Sequence, residues 1–108
     1  MTVKELAEAT GFTPLALPSP EHTVAGGYVG DLLSWVMGNA SPDCAWVTIM
    51  TNRNIIAVAS LIDMGCIILA EGCSLPEDVT ALAQEQGINV LASPLPTYET
   101  CGILFKYL

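Results

Sequence analysis

Apolar positions fall in short blocks along this chain, and their spacing changes from block to block. Val3, Leu6 and Ala7 recur at helical spacing near the amino terminus. Thr2 and Glu5 frame them as a capping box, and Gly11 follows as a helix stop. "FTPLAL" then predicts a short strand, with Pro14 at its start or on a sheet edge. "PSPEH" is a loop. Glycines crowd into "VAGGYVG", which predicts a tight corner. Leu32, Leu33, Val36 and Met37 share one face of a helix expected over Asp31–Gly38, with Asp31 as its N-cap.

The second half of the chain is more regular. Cys44–Met50, "CAWVTIM", is rich in strand formers, and "TNRN" turns the chain. "IIAVASLI" is apolar on every side. A buried helix capped by Asn54 is expected there, because the strand Cys66–Ala70, "CIILA", follows almost at once. Ser74 and Glu77 form a second capping box, before a helix over Leu75–Gln86 that buries Leu75, Val79, Leu82 and Ala83. Gly87 ends it, and "INVLA" is a short strand. Thr97 is expected to cap a last helix with Tyr98, Cys101, Phe105 and Leu108 on one side. Strand and helix thus alternate from residue 44 onward. The pattern predicts an α/β fold, a mostly parallel sheet between two helical layers, built as one domain over residues 1–108.

Composition changes this picture in one respect. Hydrophobic residues make up 52% of the chain and charged residues 13%, against roughly 25% charged in an average domain. So few charges leave apolar surface for another subunit, and a homodimer is expected. The net charge of −8 rests on eleven acids against Lys4, Arg53 and Lys106. Three scattered cations cannot displace counterions from a polyphosphate backbone, which argues against nucleic acid and against anionic membranes. No apolar run reaches membrane-spanning length. "MTVKELAEATG" is acidic and amphipathic, unlike a signal peptide, so a cytoplasmic location is expected.

The chemistry on offer is sparse. Cys44, Cys66, Cys73 and Cys101 show no C-x-x-C spacing and read as free thiols. Cys66 and Cys73 would make a metal or iron–sulfur pair only if a strand and turn brought them together. His22, the only histidine, is expected on a surface loop. No metal and no cofactor are expected. Asp31, Asp63 and Glu71 read as ordinary exposed carboxylates. Ser34 and Ser60 lack a nucleophile elbow and a histidine, so an enzyme is not expected.

Ligands of open α/β sheets bind beyond the carboxyl ends of the strands. Four turns are expected there: Gly26–Asp31, Thr51–Asn54, Glu71–Glu77 and Ser93–Glu99. Each brings a helix N-terminus, with unpaired N–H groups and a partial positive charge. "GGYVG" is neither a Walker A loop nor a dinucleotide fingerprint. "TNRN" offers Thr51, Asn52 and Asn54 as neutral hydrogen-bonding groups, and Arg53 as a cation that can grip a carboxylate or phosphate. The candidate ligand-binding set is Gly26, Gly27, Asp31, Thr51, Asn52, Arg53 and Asn54.

Three segments, "GGYVGDLLSWVMGNA", "WVTIMTNRNIIAVASLIDMGCIILAEG" and "PEDVTALAQEQGINVLASPLPTYETCGILFKYL", resemble the DRTGG domain from about Thr13 to Leu108, above all small stand-alone members from anaerobic bacteria. The resemblance implies an α/β sandwich similar to the N-terminal domain of HPr kinase/phosphorylase, and a homodimer. Relatives are fused to phosphotransacetylases or sit beside CBS modules in regulated pyrophosphatases. This implies a regulatory, non-catalytic module that binds a nucleotide or small anion. Stand-alone members are encoded near iron-only hydrogenase or redox genes, which implies the alternative of an assembly factor for a redox enzyme. The five-letter motif that names the family is absent; Thr23-Val-Ala-Gly26-Gly27 is its nearest trace. Thr51-Asn52-Arg53-Asn54 also lacks the histidine that relatives carry in this turn. With no lysine-bearing phosphate loop, kinase activity is not implied.

Overall fold

The computed structural model describes Met1–Leu108. Helix α1 (Val3–Thr10) comes first, then strands β1 (Thr13–Ala16) and β2 (Gly27–Val29) and helix α2 (Leu33–Asn39). Next come β3 (Ala45–Thr48), α3 (Asn54–Ile62), β4 (Cys66–Leu69), α4 (Glu77–Gln86), β5 (Val90–Ala92) and α5 (Thr97–Leu104). The five strands form one sheet in the order β1-β5-β4-β3-β2. All neighbours run parallel except β1, which pairs antiparallel with β5 at one edge. Pro14 therefore sits on an edge strand, where its missing N–H costs no central ladder bond.

The expected helical layers are both present. Val36, Ile55, Ile56, Val58, Ala59, Val79 and Ala83 pack from α2, α3 and α4 onto Trp46, Ile67, Leu69 and Val90. Val3, Leu6, Ala7 and Leu104 pack from α1 and α5 onto Ala45, Val47, Ile68 and Leu91 on the opposite face. The alternation of these two sets along β3 and β4 is the two-residue period of a strand buried on both sides. Every residue of β3 and β4 is buried.

Several local expectations are corrected. The glycine-rich stretch is not only a corner: Gly27–Val29 is an edge strand paired with Ala45–Val47. Three residues with a leading glycine carry no readable period, so only the pairing defines β2. Helix α2 begins at Leu33, and Leu32 precedes it without a side-chain cap. Of its predicted apolar face, Val36 is buried and Leu33 partly packed, while Leu32 and Met37 are exposed. Ser74 does not cap α4, whose N-cap is Pro76. A residue before proline is driven out of the helical region, so Leu75 cannot belong to the first turn. Thr97 is likewise the first helical residue of α5, after an N-cap at Pro96. Tyr98 and Phe105 project from α5 into solvent; its buried residues are Thr100 and Leu104.

Candidate functional site

The four parallel strands end at a common edge, and the chain leaves each of them into a helix. Asp31, expected to cap α2, instead reaches sideways to the next turn. Its Oδ1 accepts from Thr48 Oγ1 at 2.7 Å and from the Ile49 N–H at 3.0 Å. The turns after β4 and β5 are joined in the same way. The Glu71 N–H donates to the Leu95 carbonyl at 2.8 Å, and Glu71 Oε2 accepts from the Thr97 N–H at 2.6 Å. Asp31 and Glu71 are thus backbone clamps that set the shape of the rim.

Helices α2, α3, α4 and α5 all start here, and none has a hydrogen bond from its own N-cap side chain. Helix α1 differs, with a complete capping box from Thr2 and Glu5. Their surroundings differ in charge. Glu77 and Asp78 lie in the first turn of α4 and Glu99 in that of α5, whereas α2 and α3 have no acidic residue there. Only α3 adds a cation.

Arg53 occupies the N-cap position of α3, and Asn54 is the first helical residue rather than the cap. Asn52 does part of the capping instead: its Oδ1 accepts from the Asn54 N–H at 2.9 Å. Arg53 Nη1 lies 3.6 Å from Asp78 Oδ2, with both side chains more than 60% exposed. Such an exposed, long contact is worth under ~1 kcal/mol, so the guanidinium is free to exchange partners. Asn52 and Asn54 are exposed and Thr51 is half-buried. This corner offers an anionic group the Arg53 guanidinium, while the first N–H groups of α3 are already engaged, Asn54 with Asn52 Oδ1, Ile55 with the Asn52 carbonyl and Ile56 with the Arg53 carbonyl.

The predicted site residues therefore separate into two places. Asp31 and Thr51–Asn54 lie on the carboxyl edge. Gly26 and Gly27 do not, because Gly27 pairs with Ala45 at the start of β3, on the amino side of the sheet. They line an apolar cleft of about 190 Å³ with Val47, Cys101, Leu104 and Phe105. Its lining offers no charged side chain to hold an anion. Its lining was not legible in the sequence, since it depends on how α5 lies against β2. Asp78, the partner of Arg53, also escaped notice, because 24 residues of intervening chain separate the two.

Cys66 opens β4 and Cys73 lies beyond its far end, so the strand holds the two apart. Burial pushes the Cys66 thiol far above its ordinary range, and raises Cys44 and Cys101 as well. No helix is long and apolar enough to cross a membrane.

Residues 34–106 match the DRTGG domain family. In three dimensions the chain is similar to the CBS and DRTGG domains of the regulatory region of Clostridium perfringens pyrophosphatase, crystallised with its activator diadenosine tetraphosphate. The TM-score is 0.70 at 11% identity, over 95% of this chain and 45% of that one. At that identity the likeness shows a shared fold, and this chain spans less than half of the neighbour's length. No curated protein sequence matches the chain.

Proposed function

The chain belongs to the DRTGG domain family, and we propose that it is a non-catalytic regulatory module that senses a nucleotide or another small anion as a cytoplasmic homodimer. The observation that carries this reading is the start of α3. An exposed arginine with a weak partner stands there over a helix end free of acidic residues, beside Thr51, Asn52 and Asn54. Asp31 fixes the neighbouring turn and shapes the site without touching the anion. Gly26 and Gly27 fall outside it. The likeness to a nucleotide-responsive regulatory region supports the ligand class.

Thermal unfolding across a panel of nucleotides and small anions tests this. A ligand that binds only the folded protein stabilises it by about 2.7 kcal/mol at a hundredfold excess over Kd. For a domain of this size that raises the midpoint by very roughly 10 °C. The expected shift disappears in Arg53→Ala. A flat panel, or a shift indifferent to Arg53, removes the site.

A second reading is an accessory factor for a redox enzyme such as an iron-only hydrogenase. Val29 at the end of β2, Leu32 and Trp35 at the start of α2, and Ile49 after β3 are all exposed. Trp35, 62% exposed, is an expensive residue to leave in water and a strong anchor for a protein partner. Under this reading Trp35→Ser abolishes co-purification with the enzyme, while Arg53→Ala leaves it intact.

A further inference from the structure

The amino side of the sheet gathers a different set of groups, at the end remote from Arg53. His22 comes from the loop between β1 and β2, Asp43 from the residue pair preceding β3, and Asp63 from the turn between α3 and β4. His22 Nε2 lies 3.2 Å from Asp43 Oδ1, and one ligand atom from each of the three lies within 4.8 Å of the others. We propose that His22, Asp43 and Asp63 form a binding site for a divalent transition metal of the zinc type.

Several features support this. The donor set is mixed: an imidazole nitrogen and two carboxylates suit zinc and its first-row neighbours, whereas magnesium and calcium favour oxygen alone. Bonds of about 2.0–2.2 Å arranged tetrahedrally put neighbouring ligand atoms roughly 3.3–3.6 Å apart, close to the 3.2 Å between His22 Nε2 and Asp43 Oδ1. Asp63 is exposed, which leaves its side chain room to turn toward the other two.

The charge is also unbalanced. The ion pairs of the chain are His22–Asp43 and Arg53–Asp78, so no lysine or arginine offsets the two carboxylates. A divalent cation would supply the positive charge that no lysine or arginine brings there. Finally, the three loops are held together by main-chain bonds, so the backbones that carry the ligands are fixed before any ion arrives. The Asp43 N–H donates to the Asp63 carbonyl at 2.9 Å, the Ala25 N–H to the Asp43 carbonyl at 2.9 Å, and the Gly65 N–H to the Cys44 carbonyl at 3.0 Å. Three protein ligands leave a fourth position for water. The ion clips three loops together, and its site is independent of the anion site at the far edge.

The test is calorimetric titration of chelator-treated protein with zinc chloride alone, in a non-coordinating buffer, alongside thermal unfolding. One equivalent binds, with a midpoint rise that saturates at the same ratio. His22→Ala and Asp63→Asn each weaken binding by more than about a hundredfold, beyond the 10–100-fold expected from losing an outer-shell partner. Asparagine tolerates the left-handed backbone of Asp63, at φ 60°, and the His22 ring bonds only to Asp43. Circular dichroism should therefore show both variants folded. Absence of saturable binding overturns the proposal. So does binding unchanged in both variants, binding lost in Cys73→Ser instead, or equal affinity for magnesium.

Discussion

Gly65 stands where the backbones of three loops converge, and no other residue fits. A Cβ there would lie 2.8 Å from the Asp43 carbonyl, 2.9 Å from that of Thr23 and 3.1 Å from Val24 Cβ. Two of these neighbours are main-chain atoms that cannot swing aside. Gly65→Ala is therefore expected to destabilise the fold by about 1–3 kcal/mol, the usual range for overpacking, measured by urea unfolding. Arg53 is the opposite case. Its contact with Asp78 is exposed and long, so Arg53→Ala should change stability by under ~1 kcal/mol. Loss of ligand response in that variant then reports binding rather than folding.

At the scale of elements, the two capping boxes visible in the sequence have different fates. In α1 the Glu5 N–H donates to Thr2 Oγ1 at 3.1 Å, and the Thr2 N–H donates to Glu5 Oε1 at 2.8 Å. Thr2→Ala should cost about 1 kcal/mol. Ser74→Ala should cost under ~0.5 kcal/mol, as a surface change away from any cap, because proline geometry delays α4 to Glu77. Parallel urea titrations compare the two. The α1 box also has a pH signature. The bond from the Thr2 backbone holds the Glu5 carboxyl below its ordinary value of 4.5. A lowered folded-state pKa means the contribution is complete above that value and is lost as pH falls below it. The stability difference between wild type and Glu5→Ala should therefore shrink in acid.

For the whole molecule, the buried thiols are expected to lower stability in alkali. Cys44 and Cys66 are 2% and 1% exposed, and desolvation keeps them protonated in the fold. In the unfolded chain they ionise near the ordinary thiol value of 9.0. The unfolded state then binds fewer protons, so stability falls as pH rises through and beyond that value. Urea midpoints at pH 7 and pH 9.5 should show the decline, and Cys66→Ala should lessen it. A decline unchanged in Cys66→Ala would assign the effect to other groups. The same burial protects both thiols from alkylation in the folded protein.

Local pattern alone determined most of the elements. The periodicity of Val3, Leu6 and Ala7, the doubly apolar runs of β3 and β4, and the strand–helix alternation from residue 44 specify a largely parallel α/β sandwich. They do so because burial on one or both faces must repeat with the period of the backbone. The turn Thr51–Asn54 was legible for the same reason, as a polar interruption between two apolar runs. Tertiary structure decided what depends on partners distant in the chain. Pairing with Ala45–Val47 makes Gly27–Val29 a strand and sends Gly26 and Gly27 to the opposite edge from Arg53. Cross-turn hydrogen bonds turn Asp31 from an N-cap into a clamp on Thr48 and Ile49. His22, Asp43 and Asp63 meet because the parallel pairings align the amino ends of β2, β3 and β4. Side-chain chemistry and spacing are local properties, whereas the direction in which a side chain finds its partner is a property of the assembled sheet.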